Sequence, residues 1–279
     1  MARITKKDVY AEHGIEFNGK QIYCNPLNKW VSPMLPFGTN TKVGKAGTWS
    51  MTHGDEIVNY TDACEKVKEI MELANVREIA GSCPFHCPDC YCDNGFYNYG
   101  SNKALNLMKL ILAKFHRDWL ERAIVAQIKA DKIKQVRIHA SGDFFSLEYA
   151  QMWRRIAETC NDVVFWTYTK VQFALDTFED VTNVFIVPSV TPFGFNFGTC
   201  SELLYRYNKL TAMGYRVHIC ACGTDFEKHC SDCKHGCKAV GIECDFVLFI
   251  KHSTNDYKAG VTDPEDFAKV CEIIKNQTN

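Results

Sequence analysis

Residues Gly81-Ser82-Cys83-Pro84-Phe85-His86-Cys87-Pro88-Asp89-Cys90-Tyr91-Cys92 put Cys83, Cys87 and Cys90 at the spacing Cys-x3-Cys-x2-Cys. A compact loop with that spacing can wrap three thiolates around one iron–sulfur cubane and leave its fourth iron without a cysteine. Thiolates are the usual protein ligands of such clusters, and an open coordination position is what a reaction at a metal needs. Cys92 is an extra thiol that competes for a place in the set.

Further along, Cys220, Cys222, Cys230, Cys233, Cys237 and Cys244 form a second group. Cys230-x2-Cys233-x3-Cys237 together with Cys222 suits an auxiliary iron–sulfur cluster first, one structural zinc next and a redox dithiol last. His229 and His235 are substitute ligands there, or ordinary exposed loop histidines. The chain has 15 cysteines in 279 residues, an odd number in a length that needs no disulfide staples. Clustered thiols in a reducing compartment indicate metal; Cys24, Cys64, Cys160, Cys200 and Cys271 read as small buried residues. Net charge is −1, which gives no sign of a nucleic-acid binder. No apolar run approaches the ~20 residues of a membrane span and no signal-peptide core opens the chain, so a cytoplasmic location is expected.

The elements that must position these residues alternate. Residues 1–60 read as an irregular extension or cap, with a hairpin signal at Asn18-Gly19 inside 15–23. From 61 to 279 the pattern predicts a helix over 62–73, a strand over 76–80, a long helix over 102–132, and then strands at 134–140, 163–169, 184–190, 215–221 and 245–252. Helices at 146–159, 171–180, 200–213 and 263–276 separate or follow them. Six β/α units in succession imply a parallel sheet, open or curled into a partial (β/α)6 barrel. The Cys-rich insertion 220–244 falls between the fifth and sixth strands. Strands covered on both faces should be apolar throughout. Two are not: Arg137, His139 and Ser141 alternate with Val136, Ile138 and Ala140, and Arg216, His218, Cys220 and Cys222 alternate with Val217, Ile219 and Ala221. Their polar faces suit a wet or liganded lumen, or else exposed edge strands.

The cysteine spacing, placed after the first strand, resembles the signature of the radical S-adenosylmethionine (SAM) superfamily, whose fold is a six-stranded partial β/α barrel. That family carries a Gly-Gly-Glu-like turn at the end of strand two, contacting the amino group of SAM. Here Ser141-Gly142-Asp143 stands at that place. A glycine turn brings carbonyls close to an ammonium, and a carboxylate can pair with it. Residues 139–145 and 165–170 also resemble small radical-SAM-like proteins of bacteriophages, the gene-product-88-like branch. One departure is Asp89, where the family usually has an aromatic residue before its third cysteine.

The resemblance implies a [4Fe-4S] cluster on Cys83, Cys87 and Cys90, SAM on its open iron, a small flavodoxin- or ferredoxin-like electron donor, and reductive cleavage to methionine and a 5′-deoxyadenosyl radical that acts on an unidentified substrate. Polar residues near strand ends are the candidates for holding SAM: Ser141, Gly142, Asp143, His139, Thr167, Thr169, Lys170, Ser189 and Lys251. The competing classes are a non-catalytic zinc or iron–sulfur adaptor and an electron carrier. Six β/α units are a poor frame for the first, and the second has no use for a SAM site.

Overall fold

The computed structural model describes residues 4–36, 46–84, 90–93, 95–188, 196–197, 200–219, 246–250 and 264–278. The amino-terminal part is helix α1 (Lys6–Glu12), strands β1 (Ile22–Cys24) and β2 (Lys29–Val31), β3 (Gly47–Ser50) and β4 (Ile57–Asn59). Then come α2 (Glu65–Leu73), β5 (Glu78–Ala80), α3 (Gly100–Phe115), α4 (Arg117–Asp131), β6 (Gln135–Ser141), α5 (Leu147–Thr159), β7 (Val164–Thr169), α6 (Gln172–Phe178) and β8 (Val184–Pro188). The rest is β9 (Asn196–Phe197), α7 (Cys200–Ala212), β10 (Val217–Ile219), β11 (Phe246–Ile250) and α8 (Pro264–Thr278).

A parallel sheet of order β3-β6-β7-β8 carries the main core, and a parallel β10-β11-β9 sheet follows. The alternation of strand and helix expected from residue 134 onward is therefore present. Its arrangement differs in three ways. The strand expected at 76–80 does not join the parallel sheet; β5 pairs antiparallel with β4. The edge beside β6 is filled by β3, from the stretch read as irregular, where no strand was expected. And β11 lies between β9 and β10, so the last two strands do not follow chain order. Among the described residues the ladders do not close into a barrel.

The helix expected over 102–132 is two helices. His116, at φ −139°, breaks the run without proline or glycine, and Arg117 donates from its guanidinium to the carbonyl of Lys114 at 3.0 Å. That bond satisfies a carbonyl the interrupted helix would leave bare. Two of the helix ends have a left-handed residue carrying the chain out. Asn75 (φ 52°) ends α2 with Val76 N–H bonded to Met71 O, and Lys132 (φ 53°) ends α4 with Ile133 N–H bonded to Ile128 O. Ser146 begins α5 by accepting from Tyr149 N–H.

α3, α4 and α5 pack with the sheet around Trp49, Trp153, Tyr149 and Phe165, all fully buried. Trp49 and Trp153 meet edge to face at 5.8 Å. Lys109 of α3 is buried with them, its ammonium 4.9 Å from the centre of the Trp49 ring. The amino-terminal segment belongs to the same core. Gln127 of α4 bridges the Leu35 backbone, accepting from its N–H at 2.7 Å and donating to its carbonyl at 2.6 Å. A smaller cluster of Leu203, Leu210, Ile219, Leu248, Val270 and Ile274 joins α7 and α8 to the second sheet. Among the described residues no helix is long and apolar enough to cross a membrane.

Candidate metal centre at the strand ends

The carboxyl ends of β6 and β7, where ligands collect in open α/β sheets, meet the first cysteine loop. The segment leaving β3 is the layer between them. Met51 exchanges two hydrogen bonds with Ser141, its N–H donating to the Ser141 carbonyl at 3.1 Å and its carbonyl accepting from Ser141 Oγ at 2.7 Å. On its other side, Thr52 O accepts from Ser82 N–H and from Ser82 Oγ, and Gly54 O accepts from Cys83 N–H at 3.0 Å. A Cβ on Gly81 would lie 2.2 Å from the Gly54 carbonyl oxygen, so only glycine permits this approach.

Ser82 also touches the turn after β6. Gly142 has φ +87°, and a Cβ there would fall 2.4 Å from Ser82 Oγ. Asp143 N–H donates to that hydroxyl at 3.3 Å. The two motifs singled out from sequence, the Cys83 loop and the Ser141-Gly142-Asp143 turn, are thus in direct contact, and the glycine is required both by its backbone angle and by its neighbour.

Asp143 is 4% exposed. Its Oδ1 accepts from Thr169 Oγ1 at 2.6 Å and from Phe144 N–H at 2.8 Å, and its Oδ2 from Lys170 N–H at 2.9 Å. Burial raises its pKa, while these bonds and the Lys170 charge pull against the rise. The carboxylate that the resemblance assigns to the SAM ammonium clamps the end of β6 to the end of β7. Thr169 is part of the clamp, also accepting from Val171 N–H. Ser141 spends its hydroxyl on Met51, and Thr167 is fully buried with its hydroxyl directed to the Tyr168 carbonyl at 3.4 Å.

His139, also a candidate for holding SAM, is set in an irregular part of β6. Between Thr48 and Ser50 the ladder to β6 slips, Thr48 opposing Arg137 and Ser50 opposing Ser141. His139 lies in that bulge with φ 58°. The alternation that put it on one face with Arg137 is interrupted, as bulges do. Its ring is buried, edge-on to Phe144 at 4.5 Å, with Nε2 3.0 Å from the hydroxyl of Tyr149 on α5. Burial lowers its pKa to about 3. His139 is a neutral core residue here. Arg137 lies with its guanidinium 5.5 Å from the centre of the Tyr168 ring.

Cys83 and Cys90 are both half-buried free thiols. Burial pushes Cys83 up to about 12, with Asp143 adding to the rise and Lys170 opposing it. Cys90 is drawn down to about 6, first by its hydrogen bond with the Cys92 side chain and further by the Cys92 backbone and by His53. Such a thiol is a ready metal ligand. A bound cation would offset the cost of charging Cys83 further than the Gly54 backbone hydrogen bond and Lys170 do. The donor set therefore suits a thiolate-bound metal. Sequence reasoning missed His53 and Asp93, whose side chains meet at 3.0 Å beside Cys90. His53 lies in the stretch without period; Asp93, one residue beyond Cys92, was the available signal. Cys87, Ser189, Lys251 and the second cysteine group, with Cys222, Cys230, Cys233 and Cys237, lie outside the described residues.

Fold and site together define an α/β protein whose cysteine loop packs on a glycine turn at the carboxyl edge of a parallel sheet. The chain belongs to the Gene product 88 family, whose model matches residues 38–192. That span covers the first cysteine loop, the Gly142 turn and the Asp143–Thr169 clamp, and stops short of the second cysteine group. Over 139 residues it is 31% identical to the Gene 88 protein of Mycobacterium phage D29, covering 49% of this chain and 52% of that one. It is 32% identical over 139 residues to the Gene 88 protein of Mycobacterium phage L5, covering 49% and 53%. The chain thus spans about half the length of the curated relatives it matches. No solved structure matches.

Proposed function

We propose that this chain is a radical SAM enzyme, with a [4Fe-4S] cluster on Cys83, Cys87 and Cys90 and SAM at the adjoining strand ends. The single observation that carries the reading is the contact of Ser82 with Gly142. It brings the cysteine loop and the glycine turn together, as a ligand spanning cluster and strand end requires. When bound, the cluster would supply the electron that splits SAM into methionine and a 5′-deoxyadenosyl radical.

The chain's own residues then bind and orient. Carbonyls of the Gly142 turn would receive the ammonium of SAM. Lys170, close enough to Cys83 and Asp143 to bias both, would take its carboxylate. Asp143 acts through the turn it holds in place, as a positioning residue. Ser189 and Lys251 are further SAM contacts in this reading, and a small flavodoxin- or ferredoxin-like protein of the cytoplasm delivers the electron. The partial (β/α)6 barrel is part of the proposal, as is an auxiliary metal on Cys222, Cys230, Cys233 and Cys237, iron–sulfur in preference to zinc.

Anaerobic reconstitution with iron and sulfide tests the cluster. Cys83→Ala, Cys87→Ala and Cys90→Ala should each remove four irons and the broad visible absorption. A variant lacking all three thiols that kept its full iron content would refute the assignment.

A further inference from the structure

A second constellation stands beside the cysteine loop and shares with the cluster reading Cys90 alone; His53 and Asp93 have no part in that reading. A ring nitrogen of His53, the Cys90 sulfur and a carboxylate oxygen of Asp93 lie within 4.8 Å of one another, all three residues half-buried. His53 comes from the segment leaving β3, whose Met51 and Thr52 are fastened to Ser141 and Ser82. Cys90 and Asp93 bracket the short 3-10 turn at Tyr91–Asp93, with Asp93 N–H bonded to Cys90 O at 3.0 Å. His53 is held from two sides, by Asp93 Oδ1 at 3.0 Å from Nε2 and by the Tyr97 ring, edge-on at 6.3 Å. Tyr97 is in turn fixed by donating to the Ala140 carbonyl.

Imidazole, thiolate and carboxylate on one tetrahedral ion, with bonds of about 2.0–2.3 Å, stand roughly 3.4–3.6 Å apart. The three donor atoms fall within 4.8 Å of one another, so closure by about 1 Å brings them onto one ion. Ligands on separate irons of a cubane stand farther apart, so this trio suits a common ion better than a cluster corner. Mixed nitrogen, sulfur and oxygen donors select a borderline divalent metal over magnesium or calcium.

We propose that His53, Cys90 and Asp93 form a mononuclear site for zinc or ferrous iron, with its fourth position open. The site shares Cys90 with the proposed cluster, so one chain carries either the single ion or the cubane. It does not depend on SAM binding.

Cobalt(II) is the probe, titrated anaerobically into the metal-free 279-residue chain and followed by thiolate-to-cobalt absorption. The wild type should take up one equivalent that His53→Ala loses, while equivalents bound by the second cysteine group persist in both. Asp93→Asn should weaken that equivalent roughly tenfold or more, and unchanged far-ultraviolet circular dichroism would show that the variants fold. The Cys83→Ala/Cys87→Ala double variant should keep it while losing the iron–sulfur cluster, which separates failure of this inference from failure of the cluster reading. Survival of the equivalent in both His53→Ala and Asp93→Asn, or its loss in Cys83→Ala/Cys87→Ala, would overturn the proposal.

Discussion

Adding a methyl group to Gly142 tests the junction on which the functional reading stands. At φ +87° an alanine is strained by about 1–2 kcal/mol. Its Cβ would also lie 2.4 Å from Ser82 Oγ, and relieving such overpacking typically costs about 1–3 kcal/mol. Gly142→Ala should therefore destabilise the protein by about 2–5 kcal/mol. Ser82→Gly loses the bonds to Thr52 O and from Asp143 N–H, worth about 1–3 kcal/mol together. In the double variant the hydroxyl is no longer in the way. The backbone strain remains, but the steric part is recovered, so the two changes should couple favourably by about 1–3 kcal/mol. Urea denaturation of the wild type, both single variants and the double variant gives the coupling directly. Additivity within about 0.5 kcal/mol would mean the two segments do not touch, and the argument from their contact would fail.

Asp143→Ala should cost about 3–5 kcal/mol in the same urea assay, because Thr169, Lys170 and Phe144 each lose a buried acceptor; a cost under 1 kcal/mol would contradict the clamp. Lys109 has its pKa lowered by burial from 10.5 to about 7. Between those values the unfolded chain binds the extra proton, so this residue makes stability rise with pH and contributes no slope below about 7. Wild type minus Lys109→Met should gain about 2–3 kcal/mol from pH 7.5 to 9.5, somewhat less if the Trp49 ring supports the cation; parallel pH profiles would refute the burial. Arg117→Ala should leave the α3–α4 break uncapped and lower the melting temperature by a few degrees, about 1 kcal/mol in a chain of this size. Metal analysis of anaerobic protein should exceed four irons per chain if the second cysteine group holds an auxiliary cluster, whereas four irons and one zinc would select the structural alternative.

The strands β6, β7 and β8 and the helices α5 and α6 were legible because apolar periodicity is local and their ends are marked by Ser146 and by polar strand-end residues. The break at His116 was not legible, since the helical period runs through it and no proline or glycine marks it. The bulge at His139 was not legible, because no residue type announces a histidine at positive φ. The clamp that Asp143 makes was not legible. Whether a carboxylate faces a ligand or a neighbouring strand depends on Thr169 and Lys170, more than 25 residues away in the chain. The Gly47–Ser50 strand is four residues long and gains its stability from β6, so nothing within it signals a sheet edge. His53 was missed for the same reason. Its partners Cys90 and Asp93 come from a turn roughly 40 residues later, joined to it by tertiary packing alone.

The most direct test of the central claim is reduction of the reconstituted protein with dithionite in the presence of SAM, followed by chromatography of the products. The account predicts 5′-deoxyadenosine and methionine from the wild type, neither from Cys83→Ala, Cys87→Ala or Cys90→Ala, and a change in the electron paramagnetic resonance signal of the reduced cluster when SAM is added. A fully loaded, reducible cluster whose signal ignores SAM and which yields no 5′-deoxyadenosine would contradict it.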